Sequence, residues 1–562
     1  MHLRKQKLEL TWLGKEVRAK LEPRILLEDK NKSTHAAFRV TDEDIFDNRL
    51  IHGDNLLALK ALEKEFSGAV KCIYIDPPYN TGAAFEHYDD GLEHSLWLSL
   101  MRERLDLLKR LLRDDGIIFV QIDDNEHAYL KVLMDEIFGR RNFCGQFVWE
   151  KKKKPSFLNA NMGNVTEYIL AYSPSREHSP PFVAGLTTEG KKYPLNNAGN
   201  GIQTLTFPPN SVLFRSDDEI IEPQDMSEGN IVTRLLDRVI VEDGRNKNAF
   251  RLEGEWRYSQ RKLDEIVAAS EPLIISKIPF RPNHVKAGGQ DKKIKNLITI
   301  AHYQMSTYED SNAESIALFG DVDSFDYPKP ERLIHLLLNA VTDPGDLVLD
   351  SFAGSGTTGA VAHKMGRRWI MVELGEHCHT HIIPRLKKLI DGEDNGGITK
   401  AVNWKGGGGF RYYRLAPSLL EKDKWGNWVI HHDYNAAMLA EALCKLEGFT
   451  YAPSDSVYWQ HGHSTERDFL YVTTAILGHE QLQALSDEVG LERSLLVLCP
   501  AFRGKNDHAN LTVKKIPKQV LSRCEWGHDD YSLQVENLPQ AVEPDVGSAP
   551  PAQAALFGGD EP

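Results

Sequence analysis

The chain has 562 residues, 41% hydrophobic and 26% charged, a balance that fits several globular domains and excludes a collagenous or wholly disordered protein. Lys and Arg number 67 against 81 Asp and Glu, a formal charge of −14, which excludes a uniformly basic surface for nucleic acid. No run approaches eighteen uncharged apolar residues, the start MHLRKQKLELTW lacks an apolar signal core, and the six cysteines include no CxxC pair; the expectation is a cytoplasmic protein without membrane span, disulfide framework or zinc ribbon.

Residues 1–50 are polar and helix-prone and form an N-terminal segment. In HGDNLLALKALEKEF (52–66), Leu56, Leu59 and Leu62 recur at helical spacing. KCIYI (71–75) reads as a strand ending at Asp76. Over 97–112, Met101, Leu105, Leu108 and Leu112 share one helical face with Arg and Lys opposite, as in a helix that covers a sheet. Asp115-Gly116 breaks it, and IIFVQI (117–122) is a second buried strand. Over 145–320 the rhythm gives way to short strand-like pieces and turns. It returns with a helix at 331–339, the strand LVLD (347–350), a glycine loop, a helix at 358–365 and a strand ending at Glu373. A strand-helix sheet interrupted in this way predicts one α/β domain with a large insert. The expected divisions are 51–145 and 321–400 for the sheet and 146–320 for the insert. GGGG (406–409) is a linker or tight turn, 410–535 a separate α/β or α+β unit with an assembly role, and 537–562 a disordered acidic, proline-rich tail. Residues 151–300 hold 22 Lys+Arg against 18 Asp+Glu, a local basic excess compatible with DNA contact.

Two motifs carry chemistry. FAGSGTTG (352–359) lies between a strand and a helix; its glycines permit positive φ and close approach of a ligand to the backbone, and the helix start offers free N–H groups. The spacing also satisfies GxGxxG, with Glu373, seventeen residues past Gly356, as a ribose-binding acid, so a dinucleotide site and a plain tight turn both compete. Asp76-Pro77-Pro78-Tyr79-Asn80 follows directly on an apolar strand. Two prolines stiffen the exit and remove two donors. The turn suits an amino group on a flat heterocycle: Asp76 and the Pro77 carbonyl each accept an N–H, and Tyr79 stacks on the ring.

With both motifs present, the sequence resembles the amino-group DNA methyltransferases, and most closely the modification (Mod) subunits of type III restriction-modification systems. IDPPYNTG (75–82) is similar to the family's catalytic motif, and LDSFAGSGTT (349–358) to its S-adenosylmethionine loop. YPKP (327–330) resembles the segment closing over the cofactor's methionine end, and HGDN (52–55) the acidic motif near its adenine. LELTWLGKE near the start also resembles Mod subunits. The catalytic motif precedes the cofactor motif, as in the circularly permuted β class. NVTEYIL (164–170) departs from the family pattern, which has an acid and a histidine before Glu-Tyr, and those positions are given no role.

The resemblance implies a Rossmann-like, permuted methyltransferase sheet with a target-recognition insert, transferring methyl from S-adenosylmethionine to adenine N6 in a specific duplex sequence after base flipping. It implies Asp76, Pro77, Pro78 and Tyr79 as catalytic, and Asp54, Lys329, Asp350, Phe352, Gly354, Gly356, Thr357 and Glu373 as cofactor-binding. Its other implications are a homodimer and an ATP-dependent restriction subunit as partner. Lys151, Lys152, Lys153 and Lys154 are candidates for DNA phosphates. Trp97 and Arg102 read rather as packing and surface charge, Asp123 to Asn125 as pocket border or helix cap, and no metal site is expected. The alternatives are N4-cytosine methylation, a nicotinamide-dependent dehydrogenase, which leaves DPPY and the insert idle, and a non-catalytic DNA-specificity module. Asp in place of Ser before Pro-Pro-Tyr favours adenine, and the lack of a Pro-Cys motif argues against C5-cytosine chemistry.

Overall fold

The computed structural model describes residues 9–79, 90–155, 161–186, 190–216, 218–286, 289, 291–320, 325, 327–504, 507–518 and 520–532, with the side chains of 90–93 excepted. Residues 80–82 of the DPPY motif and the expected tail at 537–562 lie outside them.

The central sheet contains β1 (Asn48–His52), β2 (Val70–Ile75), β3 (Leu112–Ile122), β4 (Phe143–Glu150), β5 (Thr166–Tyr172), β6 (Leu347–Asp350), β7 (Arg368–Glu373) and β8 (Gly409–Leu415), in the spatial order β8-β1-β7-β6-β2-β3-β5-β4. From β8 to β3 all neighbours are parallel, whereas β5 runs antiparallel to both β3 and β4. Every residue of β2 and of β6 is buried, as central parallel strands covered on both faces require.

Helix α1 (Asn55–Phe66) is capped by Asp54, whose carboxylate accepts the Leu57 N–H at 3.0 Å, and buries Leu56, Leu59 and Leu62. Helix α2 (Asp90–Leu111) buries Trp97, Met101, Leu105 and Leu108 in the same core. Helices α3 (Tyr308–Phe319), α4 (Glu331–Val341) and α5 (Thr357–Lys364) lead into and out of β6. Strands β2 and β6 are neighbours, but the chain continues from them toward opposite sides of the sheet. A crevice therefore opens at their carboxyl ends, where open α/β sheets bind ligands.

One expected element type and two expected boundaries change. In 9–50, the predicted helical character gives way to short strands, Leu26–Glu28 and Thr34–His35, paired antiparallel with β8; bonding to an otherwise open sheet edge overrides local propensity. The insert, expected at 146–320, shrinks. Residues 180–295, with 339–341, make up the second compact unit, while β4, β5 and the strand Leu297–Ile298 complete the central sheet, burying Phe147, Trp149, Ile169 and Leu170. Finally, β8 takes 409–415 away from the expected C-terminal unit and pairs with β1. GGGG before it is a packed turn: Gly407 has φ +108°, and a Cβ there would lie 2.6 Å from the Asp44 carboxylate.

The second unit is β-rich around a core of its own, with Phe207 and Phe250 stacked at 5.0 Å. Within the first unit, the C-terminal residues carry a smaller sheet whose strands Asp468–Val472, Ser494–Cys499 and Leu511–Lys515 are parallel, with helices Ala436–Glu447 and His479–Val489. This is an α/β arrangement.

Candidate active site

At the carboxyl end of β2 the chain turns through Asp76-Pro77-Pro78-Tyr79. The buried Trp97 of α2 fixes this turn, its indole N–H donating to the Pro78 carbonyl at 2.7 Å. Asp76 is held at both oxygens: Oδ1 accepts from the Tyr79 hydroxyl at 2.7 Å and Oδ2 from Lys329 Nζ at 2.5 Å. Burial pushes the Asp76 carboxyl above the usual range; the Lys329 ammonium draws it part of the way back, and nearby Glu167 opposes that. Burial disfavours the Lys329 charge in turn, but Asp76, Tyr308 and Glu167 together outweigh it and hold the ammonium protonated.

Glu167, on β5 and 2% exposed at its side chain, gathers the rest. It accepts from Tyr79 Oη at 3.0 Å, Gln121 Nε2 at 2.7 Å, Lys151 Nζ at 3.2 Å and Tyr308 Oη at 3.0 Å. Lys329 Nζ lies 5.3 Å from the Tyr79 ring centroid and 5.2 Å from that of Tyr308, within cation–π range. Tyr327, 70% exposed with φ +52°, stands edge-on to Tyr308. Two carboxylates, two ammonium groups and a set of tyrosine rings thus surround the end of β2.

The neighbouring strand end is built differently. Asp350 closes β6, with Oδ1 accepting the Phe352 N–H at 2.9 Å and Oδ2 the Thr358 hydroxyl at 2.6 Å. Burial outweighs these bonds and pushes its carboxyl up to about 7. Gly354 and Gly356 take left-handed φ values of +53° and +77°, which let the loop turn tightly into α5. Glu373, at the end of β7, accepts the Gly354 N–H at 2.8 Å and the Gly375 N–H at 2.9 Å, with His377 Nε2 3.0 Å away. Burial raises its carboxyl, but His377 and the two amides overcome that and hold it below the usual range. Thr357 Oγ1 accepts from Arg385 at 2.9 Å.

Both strand ends open into one cavity of about 730 Å³, within the range of small-molecule sites. Of the residues expected to bind cofactor or act in catalysis, Asp54, Asp76, Pro77, Pro78, Tyr79, Lys329, Asp350, Phe352, Gly354, Thr357 and Glu373 line it. Gly356 stands behind the loop, where a Cβ would lie 3.0 Å from Ile382. Lys329, assigned by resemblance to the cofactor's methionine end, lines the cavity with its ammonium bonded to Asp76. Asp54 spends its carboxylate within the protein, on the N–H groups of Leu57 and Tyr531 and on Arg104.

The lysine run divides. Lys151 turns inward to Glu167, so its expected phosphate contact is replaced by a partly buried ion pair. Lys153 is paired with Asp310 at 2.5 Å on the surface, and Lys154 is exposed. Arg102 bonds to the Val17 carbonyl and Glu103, and the Asp123 side chain caps the N–H of Asn125.

Sequence reasoning missed Glu167, Gln121, Tyr308 and Arg104. The first two carried a signal: a charged or amide side chain inside an apolar strand needs a buried partner.

The family described as DNA methylase, the N6/N4 methyltransferases, matches residues 70–384. The "Probable type III restriction-modification enzyme HindVI Mod subunit" of Haemophilus influenzae is 36% identical over 433 residues, covering 67% of this chain and 55% of that protein. The type III restriction-modification enzyme StyLTI Mod subunit of Salmonella typhimurium is 30% identical over 353 residues, 55% of this chain and 49% of the relative. The type II methyltransferase M.EcaI of Enterobacter cloacae is 32% identical over 375 residues, 63% and 73% respectively. The chain spans about half the length of the two Mod subunits.

Proposed function

The chain belongs to the DNA methylase family of N6/N4 methyltransferases, and from that premise we propose that it transfers a methyl group from S-adenosylmethionine to adenine N6 in a specific duplex DNA sequence. The observation that carries this reading is the meeting, in one cavity, of the DPPY turn at the end of β2 and the glycine loop at the end of β6.

The residues fit the cofactor. The open face over Gly354, where a Cβ would meet no protein atom nearer than 3.9 Å, and the ionised Glu373 suit a ligand with a ribose and a charged amino-acid tail. When bound, S-adenosylmethionine supplies a methyl group on a sulfonium leaving group. The chain's own residues have to orient the acceptor. Each Asp76 oxygen keeps a further lone pair beyond its bond to Tyr79 or Lys329, and with the Pro77 carbonyl it can hold the two N–H groups of an exocyclic amine. This favours a pyramidal, more nucleophilic nitrogen, which sheds a proton toward Asp76 as the new bond forms. The tyrosine rings offer faces for a base taken out of the duplex. Orientation and electrostatics then carry the rate.

The second unit, residues 180–295, is proposed to read the target sequence, with Lys152 to Lys154 on DNA phosphates. The resemblance to Mod subunits supports action in the cytoplasm as a homodimer with an ATP-dependent restriction subunit.

Tritium transfer from labelled S-adenosylmethionine to DNA tests the activity, and sequencing that detects modified bases identifies adenine or, as the competing outcome, cytosine N4. Asp76→Ala should lower transfer by at least about 100-fold, the effect of losing one oriented group worth ~2.7 kcal/mol at a transition state. Calorimetry should find cofactor binding retained, because the glycine loop is intact. Near wild-type transfer by Asp76→Ala would remove the mechanism.

A further inference from the structure

The cofactor cavity has a wall that neither motif supplies. Asp54 and Asn55 at the start of α1, Leu100 and Arg104 on α2, and Ser532 form it together. Asn55 Nδ2 donates to the Ser351 carbonyl at 2.8 Å, which joins this wall to the glycine loop.

Ser532 arrives there on a segment anchored along its length. The Glu525 N–H donates to the Lys20 carbonyl at 2.9 Å, and the Gly527 N–H to Ser418 Oγ at 2.8 Å. Arg24, with a side chain 1% exposed, donates to the His528 carbonyl at 3.0 Å and the Asp529 carboxylate at 2.6 Å. At the cavity, the Tyr531 N–H donates to Asp54 Oδ2 at 3.0 Å, and the buried Arg104 guanidinium donates to the Tyr531 carbonyl at 3.2 Å. The Tyr531 ring packs on the core beneath the sheet and stands edge-on to His528 at 4.2 Å. Both backbone polar groups of Tyr531 are therefore bonded to side chains that line the cavity.

We propose that residues 525–532 form a cofactor-binding strap: Tyr531, bonded to Asp54 and Arg104, sets Ser532 in the wall of the methyl-donor cavity and so raises the cofactor's affinity. Two charged groups, Asp54 and Arg104, each gain a backbone partner through this contact. Asp54 thereby serves the cofactor site through the strap it holds. The proposal rests on the reading that this cavity takes S-adenosylmethionine.

The test uses the full chain and calorimetry with S-adenosylmethionine and its demethylated product. Tyr531→Pro deletes the N–H that bonds Asp54, and Ser532→Trp places an indole in the wall while leaving the Asp54, Arg104 and Arg24 bonds in place. Each should weaken cofactor binding by about tenfold or more, with the ligand-free unfolding midpoint of Ser532→Trp near that of the parent. Should Tyr531→Pro fail to fold, Ser532→Trp decides. Parent-like affinity in Ser532→Trp, or in a folded Tyr531→Pro, overturns the strap. Failure of the intact protein to bind the cofactor would overturn the underlying reading instead.

Discussion

Glu167 and Asp76 are two carboxylates with one tyrosine hydroxyl between them, and the single proton of Tyr79 Oη can satisfy only one at a time. Glu167 also receives Gln121, Lys151 and Tyr308, so it positions the ring beside Asp76. Glu167→Gln would set an amide NH₂ against these donors and leave at least one buried group unpaired. Methyl transfer should fall roughly 10-fold, about 1.4 kcal/mol, with cofactor affinity unchanged by calorimetry; an unaltered rate would show that Glu167 only packs. Another buried group sets a pH dependence. Burial pushes the His363 imidazole down to about 4 against the pull of the Gly407 carbonyl, whereas in the unfolded chain it titrates near 6.5. The folded state therefore stays neutral where the unfolded state takes up a proton. This contribution is complete above about pH 6.5 and is lost as pH falls toward 4, on the order of 3 kcal/mol. Asp350, pushed up to about 7, drifts in the opposite sense. Comparison with His363→Gln isolates the histidine: its thermal midpoint should drop less than the parent's between pH 7.5 and 5, and equal drops would discount His363.

The glycine loop shows at the level of elements how cofactor binding can be separated from folding. A Cβ on Gly354 would meet no protein atom nearer than 3.9 Å, so Gly354→Val projects into open space and costs mainly the strain of φ +53°, about 1–2 kcal/mol. It should abolish cofactor binding in calorimetry while target DNA still binds in gel shifts. Retained cofactor affinity would move the site away from the loop. Most of these elements were legible: α1, α2, β2, β6 and α5 follow their apolar periodicity, because each buries a face in the core within its own short span. The elements at the sheet's margins were not. Strands β4 and β5 read as insert because they are mixed in polarity and flanked by turns, and β8 read as the start of a new unit because glycines precede it.

For the whole molecule, the boundary of the second unit matters most for design. An exchange of 146–320 with a relative of different specificity would cut β4 and β5 out of the central sheet. An exchange of 180–295 leaves that sheet whole. The smaller exchange should transfer the recognition sequence, read by sequencing modified bases; an active chimera that keeps the original sequence would place specificity elsewhere. A truncation after Gly409, which tests a separate C-terminal assembly unit, would instead strip β8 from the sheet and remove the segment that bonds Asp54.

The sequence by itself determined the chemistry at two strand ends, since DPPY and FAGSGTTG depend on local backbone form: prolines that stiffen, glycines that accept positive φ, and apolar strands that carry both to one edge of a sheet. Tertiary structure alone decided which charges face each other. Lys329 reaches Asp76 across 253 residues, Glu167 meets Tyr79 across 88, and Tyr531 meets Asp54 across 477. A buried charge keeps its ionisation only beside a partner, and the partner's place in the chain is set by how the sheet closes, which no local pattern encodes.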